Sequence, residues 1–218
     1  MPGGVWAIVV AAGSGRRFGR PKQFSSLKGR AVLEWAVEAA RSVADEVVLV
    51  LPPEALGEPA RHAGCRLVVP GGATRAASVR AGLALVPAEA EVVVVHDAAR
   101  PLASPSLFRA VVAAVRAGAD GAVPGLALAD TVKRVRGGEV VETLARDELV
   151  AVQTPQAFAA AVLRLAHAGG GEGTDDACLV EGVGGRVVVV PGEARNLKLT
   201  EAGDLERAAA LAGCGGVP

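Results

Sequence analysis

With 218 residues, 51% of them hydrophobic and 21% charged, the chain has enough apolar content to bury a core and is not of a disordered class. Its 23 basic residues balance 23 acidic ones, which argues against a general nucleic-acid binder, because such proteins carry a basic surplus. No apolar run approaches the roughly 20 residues that span a bilayer, and the run at 5–10 is too short for a signal-peptide core and follows no basic stretch. A cytoplasmic protein without a membrane partner is expected. Cys65, Cys178 and Cys214 are odd in number, scattered and without metal spacing, so reduced thiols are expected.

The first apolar run, Val5–Val10, reads as a buried strand that stops at Ala11-Ala12-Gly13-Ser14-Gly15. Small residues there let backbone pass close to a ligand. Arg16, Arg17, Arg20 and Lys22 follow within seven residues, so exposed N–H groups and cations together suit several phosphates, as in a nucleoside triphosphate. The loop is neither of the two best-known phosphate loops. Phe18 and Arg20 stand where a P-loop needs its second glycine, and Leu51-Pro52-Pro53 occupies the place of the acid that a dinucleotide fold requires. A Gly-rich turn with solvated arginines remains the plain alternative.

Residues 31–43 form an amphipathic pattern, Glu46–Leu51 a strand, 54–63 a weak helix and Arg66–Pro70 a strand. A helix is expected over Thr74–Leu85, an apolar strand over Val92–Val95 and a helix over Ser104–Ala117. Apolar strands separated by helices indicate an α/β fold: a mostly parallel twisted sheet covered on both faces, with ligands at the carboxyl ends of its strands. After Gly121–Leu126, the segments 131–136 and 139–143 alternate with period two around Gly137-Gly138, a β-hairpin. Its polar faces suggest an arm at about 127–148, projecting from a single domain of 1–218 and reaching for a second subunit. The pattern resumes with Val150–Thr154, a helix from Phe158, a Gly-rich loop at 169–173, the strand Arg186–Val190 and a helix near 201–211.

Chemistry gathers at a few points. Asp97 follows the central apolar strand, where a carboxylate can hold Mg²⁺ or, alternatively, cap a turn. Arg100 stands three residues on, within reach of a second phosphate, and His96 reads as a packed core residue before a catalyst. Gly71-Gly72 allow close approach to a flat base, Ser78 one turn into the next helix can hydrogen-bond it, and Arg75 can pair with an acid or a phosphate. Thr174-Asp175-Asp176 is expected to cap a helix. Only Lys22, Lys28, Lys133 and Lys198 are lysine among the 23 cations, so each marks a place where a compact ammonium is wanted.

Taken together and in order, Ala11–Gln23, Gly71–Ser78, His96–Pro101, Asp130–Lys133, Gln153-Thr154-Pro155-Gln156, Thr174–Ala177 and Asn196–Thr200 resemble the 2-C-methyl-D-erythritol 4-phosphate cytidylyltransferases. The resemblance runs from about residue 5 to 208. It implies a Rossmann-like nucleotidyltransferase of the non-mevalonate isoprenoid route, a homodimer that uses Mg²⁺, with CTP and a polyol phosphate as substrates. By position, Arg17 and Lys22 hold the CTP phosphates with Ala11, Ala12, Gly13, Ser14 and Gly15. Gly72, Arg75 and Ser78 serve the nucleotide, and Arg17, Lys22, Arg146 and Lys198 form the catalytic set of cations. Asp97 binds Mg²⁺, while Asp97, Arg100 and Thr154 face the acceptor. Thr131 and Arg146 reach the sugar phosphate of the neighbouring subunit. The Arg17–Lys22 segment is shorter than in many members, and Cys178 stands where serine is expected. The alternatives are a sister enzyme acting on another alditol phosphate such as ribitol 5-phosphate, a non-catalytic nucleotide sensor, and an NAD-dependent oxidoreductase.

Overall fold

The computed structural model describes residues 4–58 and 61–213. Its strands are β1 (Val5–Val10), β2 (Ser26–Leu27), β3 (Arg30–Ala31), β4 (Glu46–Leu51), β5 (Leu67–Pro70), β6 (Val92–Asp97), β7 (Gly121–Ala127), β8 (Lys133–Arg136), β9 (Glu139–Thr143), β10 (Val150–Val152), β11 (Gln156–Ala159) and β12 (Val187–Pro191). Its α-helices are α1 (Val32–Arg41), α2 (Arg75–Leu83), α3 (Pro105–Arg116), α4 (Ala160–Ala168), α5 (Asp176–Gly182) and α6 (Asp204–Gly213). No helix among the described residues is long and apolar enough to cross a membrane.

The main sheet runs β5-β4-β1-β6-β11-β7-β12. β1 pairs in parallel with β4 and β6, β4 with β5, and β7 with β12. β11 is the exception, antiparallel to both β6 and β7. β10 lies antiparallel on the same edge of β7, so 150–159 forms one neighbour of β7 interrupted at Gln153–Pro155. Because side chains alternate across a strand, Ala7, Val9, Leu49 and Val94 face α1 and α3, while Ile8, Val48, Val50, Val93 and Val95 face α2 and α4. A third cluster joins Phe18, Leu27, Val32, Leu102, Leu199 and Ala208, fastening the loop after β1 and the segment before α6 to the body.

Local rules place the helices. Thr74, Ser104 and Asp175 each accept from the backbone N–H three residues ahead, at 3.0, 3.1 and 2.9 Å, and so start α2, α3 and α5. α2 packs unusually close to the sheet: a Cβ on Gly82 would lie 2.6 Å from Cγ2 of Ile8. The hairpin β8–β9 turns on Gly137 and Gly138, at φ 56° and 87°, the left-handed pair that a tight turn requires. Every residue of both strands is exposed, with Arg134–Glu142 paired at 2.5 Å across them.

Two expectations need correction. No helix forms over 54–63 among the described residues. Pro53–Ala55 makes a single 3₁₀ turn and Arg61 N–H closes another on the Glu58 carbonyl at 2.8 Å, because Gly57 carries a large entropic cost and a proline at 59 has no N–H to give the Ala55 carbonyl; residues 59–60 lie outside those described. Nor does a helix begin at Phe158. Gln156–Ala159 is a strand and the helix starts at Ala160. A short apolar run does not distinguish strand from helix by periodicity, and the pairing partners β6 and β7 decide. Cys65 and Cys178 are free thiols, and Cys214 lies outside the described residues.

Phe158 is fully buried in the face that α2 and α4 cover. Phe158→Ala is therefore expected to cost about 3–5 kcal/mol in urea unfolding with an unchanged slope; a loss below about 1 kcal/mol would contradict its central place in the sheet.

Candidate active site

β6 delivers Asp97 to the carboxyl edge of the sheet, and the surrounding elements supply its partners. Nε of Arg75, at the start of α2, donates to Oδ1 at 3.1 Å. Nζ of Lys198 donates to Oδ2 at 2.7 Å. The Asp97 backbone N–H donates to the Thr154 hydroxyl at 3.1 Å. Burial alone would raise the carboxyl pKa, but the two cations and their hydrogen bonds outweigh it and hold the group well below the usual carboxylate range. Arg75 is balanced in turn: burial would lower its pKa, yet Asp97 and Asp176 raise it further, Asp176 lying 2.7 Å from Nη1.

Lys198 is held by its neighbours in sequence. Leu199 is fully buried and its N–H donates to the Ala99 carbonyl at 2.8 Å, tying this segment to the loop after β6. Nδ2 of Asn196, also fully buried, donates to the Thr154 carbonyl at 2.9 Å and to Oε1 of Gln153 at 3.2 Å. Lys22 stands close enough to feel the same charges. Burial lowers its pKa, Lys198 and Arg17 lower it further, and Asp97 and Asp204 oppose them. A cation already short of counter-charge gains when a polyanion arrives. A cleft of about 250 Å³ opens beside this group, lined by Arg75, Asp97, Arg100, Gln156, Asp175 and Lys198 among others.

The loop after β1 borders the same edge. Ala11 N–H donates to the Val50 carbonyl at 2.8 Å, while Gly13 and Ser14 are exposed and Gly15 takes φ 68°. Nε2 of Gln23 donates to the Gly13 carbonyl at 3.1 Å, and Phe18 is buried, so the loop is fastened at both ends with Arg17 exposed between them. The loop after β5 abuts it: a Cβ on Gly71 would lie 2.2 Å from Cβ of Ala12, which is why only glycine fits.

Several residues sit where the sequence placed them but with other work. The Ser78 hydroxyl accepts from Gly72 N–H at 3.1 Å and donates to the Thr74 carbonyl at 2.9 Å; it is buried and shapes the Gly72 turn rather than facing a base. Thr154 is buried, its hydroxyl engaged by Asp97 N–H and by Nδ1 of His96 at 3.2 Å, so it supports Asp97 while also lining the cleft. Arg100 donates to the carbonyls of Asn196 at 2.8 Å and Val152 at 3.5 Å, which fixes the side chain in the wall of the cleft. His96 is a core residue, its ring tilted 58° against that of Phe108 at 4.9 Å between centres. Thr131 and Arg146 lie on or beside the arm, where Arg146 donates to the Ala129 carbonyl, and neither lines this chain's own cleft. Asp175 caps α5 as expected, whereas Asp176 beside it is fully buried and ion-paired, a role the motif does not disclose.

No three His, Cys, Asp or Glu side chains converge among the described residues. The residues present nevertheless fit a Mg²⁺ ion that takes one protein carboxylate, Asp97, and the rest of its oxygens from phosphates and water, since Mg²⁺ is commonly held that way. Each Asp97 oxygen carries one hydrogen bond from a cation and keeps a further lone pair.

The family model described as IspD, 2-C-methyl-D-erythritol 4-phosphate cytidylyltransferase, matches residues 5–213. A protein named 2-C-methyl-D-erythritol 4-phosphate cytidylyltransferase from Rhodococcus opacus is 48% identical over 96% of this chain and 95% of its own. The bifunctional enzyme IspD/IspF of Clavibacter michiganensis is 46% identical over 94% of this chain and 53% of its own; the chain spans about half the length of such bifunctional relatives. Among solved structures, 2-C-methyl-D-erythritol 4-phosphate cytidylyltransferase from Thermus thermophilus superposes with a TM-score of 0.80 at 40% identity, covering 94% of this chain and 98% of that one.

The buried imidazole behind the site sets an acid response. Desolvation lowers the His96 pKa from 6.5 to about 4, so between those values the unfolded chain binds a proton that the folded one excludes. Stability is full above pH 6.5 and falls as pH drops toward 4, by about 3 kcal/mol. Urea titrations of chelator-treated protein from pH 7 to 4 check this, and a profile no flatter in His96→Gln than in wild type would assign the loss elsewhere.

Proposed function

The chain belongs to the 2-C-methyl-D-erythritol 4-phosphate cytidylyltransferase family, and from that premise we propose that it transfers the cytidylyl group of CTP to 2-C-methyl-D-erythritol 4-phosphate, releasing pyrophosphate. The observation that carries the reading is the convergence of Lys22, Lys198 and Arg75 on one buried carboxylate at the sheet edge. Such a site is suited to bring anions together, with Arg75 and Lys198 paired to Asp97 and Lys22 short of counter-charge until substrate comes.

The triphosphate lies along Ala11–Gly15 and meets Arg17 and Lys22, while Gly71-Gly72 admit the base. An oxygen of the acceptor phosphate attacks the α-phosphorus in line, and pyrophosphate departs on the opposite side. A phosphate monoester has a second pKa of about 6 and is already ionised near pH 7, so no general base is required. His96, held at a pKa of about 4 inside the core, is not available as one. The work left to the protein is positioning and charge stabilisation: Lys22 and Lys198 meet the charge that builds on the transferring and leaving oxygens. Asp97 would hold Mg²⁺, which when bound neutralises phosphate charge there.

The active form is a homodimer in the cytoplasm. Its support is the arm, whose Val135, Val140 and Val141 are each more than half exposed, an apolar surface that a second copy would cover. Thr131 and Arg146 then complete the acceptor site of the neighbouring subunit.

Purified protein with CTP, Mg²⁺ and 2-C-methyl-D-erythritol 4-phosphate is expected to release pyrophosphate. Release with ribitol 5-phosphate or UTP alone, or none with any pair, would reject the assignment. Lys22→Ala and Lys198→Met are expected to lower kcat about 100-fold or more, as lost transition-state charge stabilisation does; a rise in KM alone would make them binding residues. Arg146→Ala should raise the acceptor KM at least several-fold with the CTP KM unchanged, and mixing it with Lys22→Ala protein should restore part of the activity through hybrid dimers.

A further inference from the structure

Two ionisable side chains inside the fold are not used by the transfer chemistry, His167 of α4 and Asp176 of α5. Their residues are only 4% and 0% exposed, and Nε2–H of His167 donates to Oδ1 of Asp176 at 3.0 Å. Nδ1 of His167 has no partner among the described residues, so the ring's single protein bond is the one to Asp176. Oδ2 of Asp176 accepts from Nη1 of Arg75 at 2.7 Å. Arg75 then reaches Oδ1 of Asp97 through Nε, leaving Oδ2 to Lys198. The four contacts form one line, from His167 through Asp176, Arg75 and Asp97 to Lys198.

A guanidinium beside a carboxylate favours the bidentate arrangement, two parallel N–H donors on two oxygens. Here Arg75 gives Asp97 one hydrogen bond, although its Nη2 is buried and without a partner. The anchor at Nη1 accounts for that: it fixes where the guanidinium lies, so that only Nε meets Asp97. The Asp97 oxygen opposite is thereby kept for Lys198. Resting on the transferase reading above, we propose that Asp176 and His167 are positioning residues for cytidylyl transfer, Asp176 aiming Arg75 and His167 holding Asp176. Neither touches substrate. Without them Arg75 swings to take both oxygens of Asp97, and its Nη2, now beside Oδ2, repels the Lys198 ammonium from its place.

The line also separates positioning from mere packing. Removing one member of a buried polar pair is destabilising because the other is left unpaired, so a lower Tm in His167→Leu fits either role and only the readouts on turnover and geometry separate them. His167→Gln keeps an N–H donor near the Nε2 position and His167→Leu does not. With both substrates saturating, Asp176→Asn is expected to lower kcat about 10-fold and His167→Leu at least 3-fold, with both KM values within 2-fold of wild type, as small misplacement of catalytic groups does. His167→Gln should stay within 2-fold of wild type in kcat. Rates are taken per folded molecule, with Tm recorded for each variant. Crystal structures of Asp176→Asn and His167→Leu supply a readout independent of turnover: Arg75 should engage both Asp97 oxygens, and the Lys198–Asp97 contact should open beyond 4 Å. Unchanged kcat with the Lys198–Asp97 pair intact would overturn the proposal, as would His167→Gln as impaired as His167→Leu. If Asp176→Asn does not fold, the two His167 variants decide. If wild-type protein shows no transfer, the family reading of activity fails while the crystal structures still test whether Asp176 aims Arg75.

Discussion

A carboxylate at the end of a buried strand has to be neutralised where it stands, because desolvating a lone charge costs far more than a surface ion pair returns. Asp97 meets that requirement with two different cations, one on each oxygen. Arg75 comes from the helix after β5 and is itself tied to a buried acid, while Lys198 is anchored only through its backbone neighbours and is 42% exposed along its side chain. The pairing is thus asymmetric. One partner is fixed by a second acid, while the other, more exposed, has no such tie and is the one that the proposed reaction would draw on.

Much of the surrounding architecture serves that asymmetry. Thr154 steadies the Asp97 backbone, Asn196 grips the Thr154 carbonyl, and Leu199 hangs on Ala99, so the loops after β6, β10 and β12 are bolted to one another behind the charges. The small third core does the same for the phosphate loop through Phe18 and for α6 through Ala208. Rigid loops of this kind keep donors preorganised, so little reorganisation is left to the moment of reaction.

The parallel half of the sheet, the capped starts of α2 and α3, and the hairpin were legible because each rests on local chemistry: apolar runs, a hydroxyl before a helix, a glycine pair between alternating residues. β11 was not, because four residues carry no period of their own and its neighbours lie far away in sequence. The site divides the same way. Glycines, lysines and the acid at the strand tip announce themselves, since exposed function leaves unusual residue types in loops. For Thr154 and Arg100 the positions were legible but their protein partners were not, because those lie dozens of residues off, whereas Ser78 is held by Gly72 and Thr74 within its own turn. Asp176 was hidden for a related reason: two adjacent acids at a helix start look alike in sequence, and only the approach of Arg75 separates the one that caps from the one that is buried.

The contacts Arg75–Asp176 and Asp97–Lys198 each join residues 101 positions apart, and β12 closes onto β7 across more than sixty. Such pairings bear their loop-closure entropy before any reward arrives, which slows folding. On the ribosome, the first 190 residues carry the nucleotide loop yet lack Lys198, the counter-ion for Asp97. A nascent chain therefore holds an incompletely balanced carboxylate until residue 198 has emerged, and this edge of the sheet settles only after that.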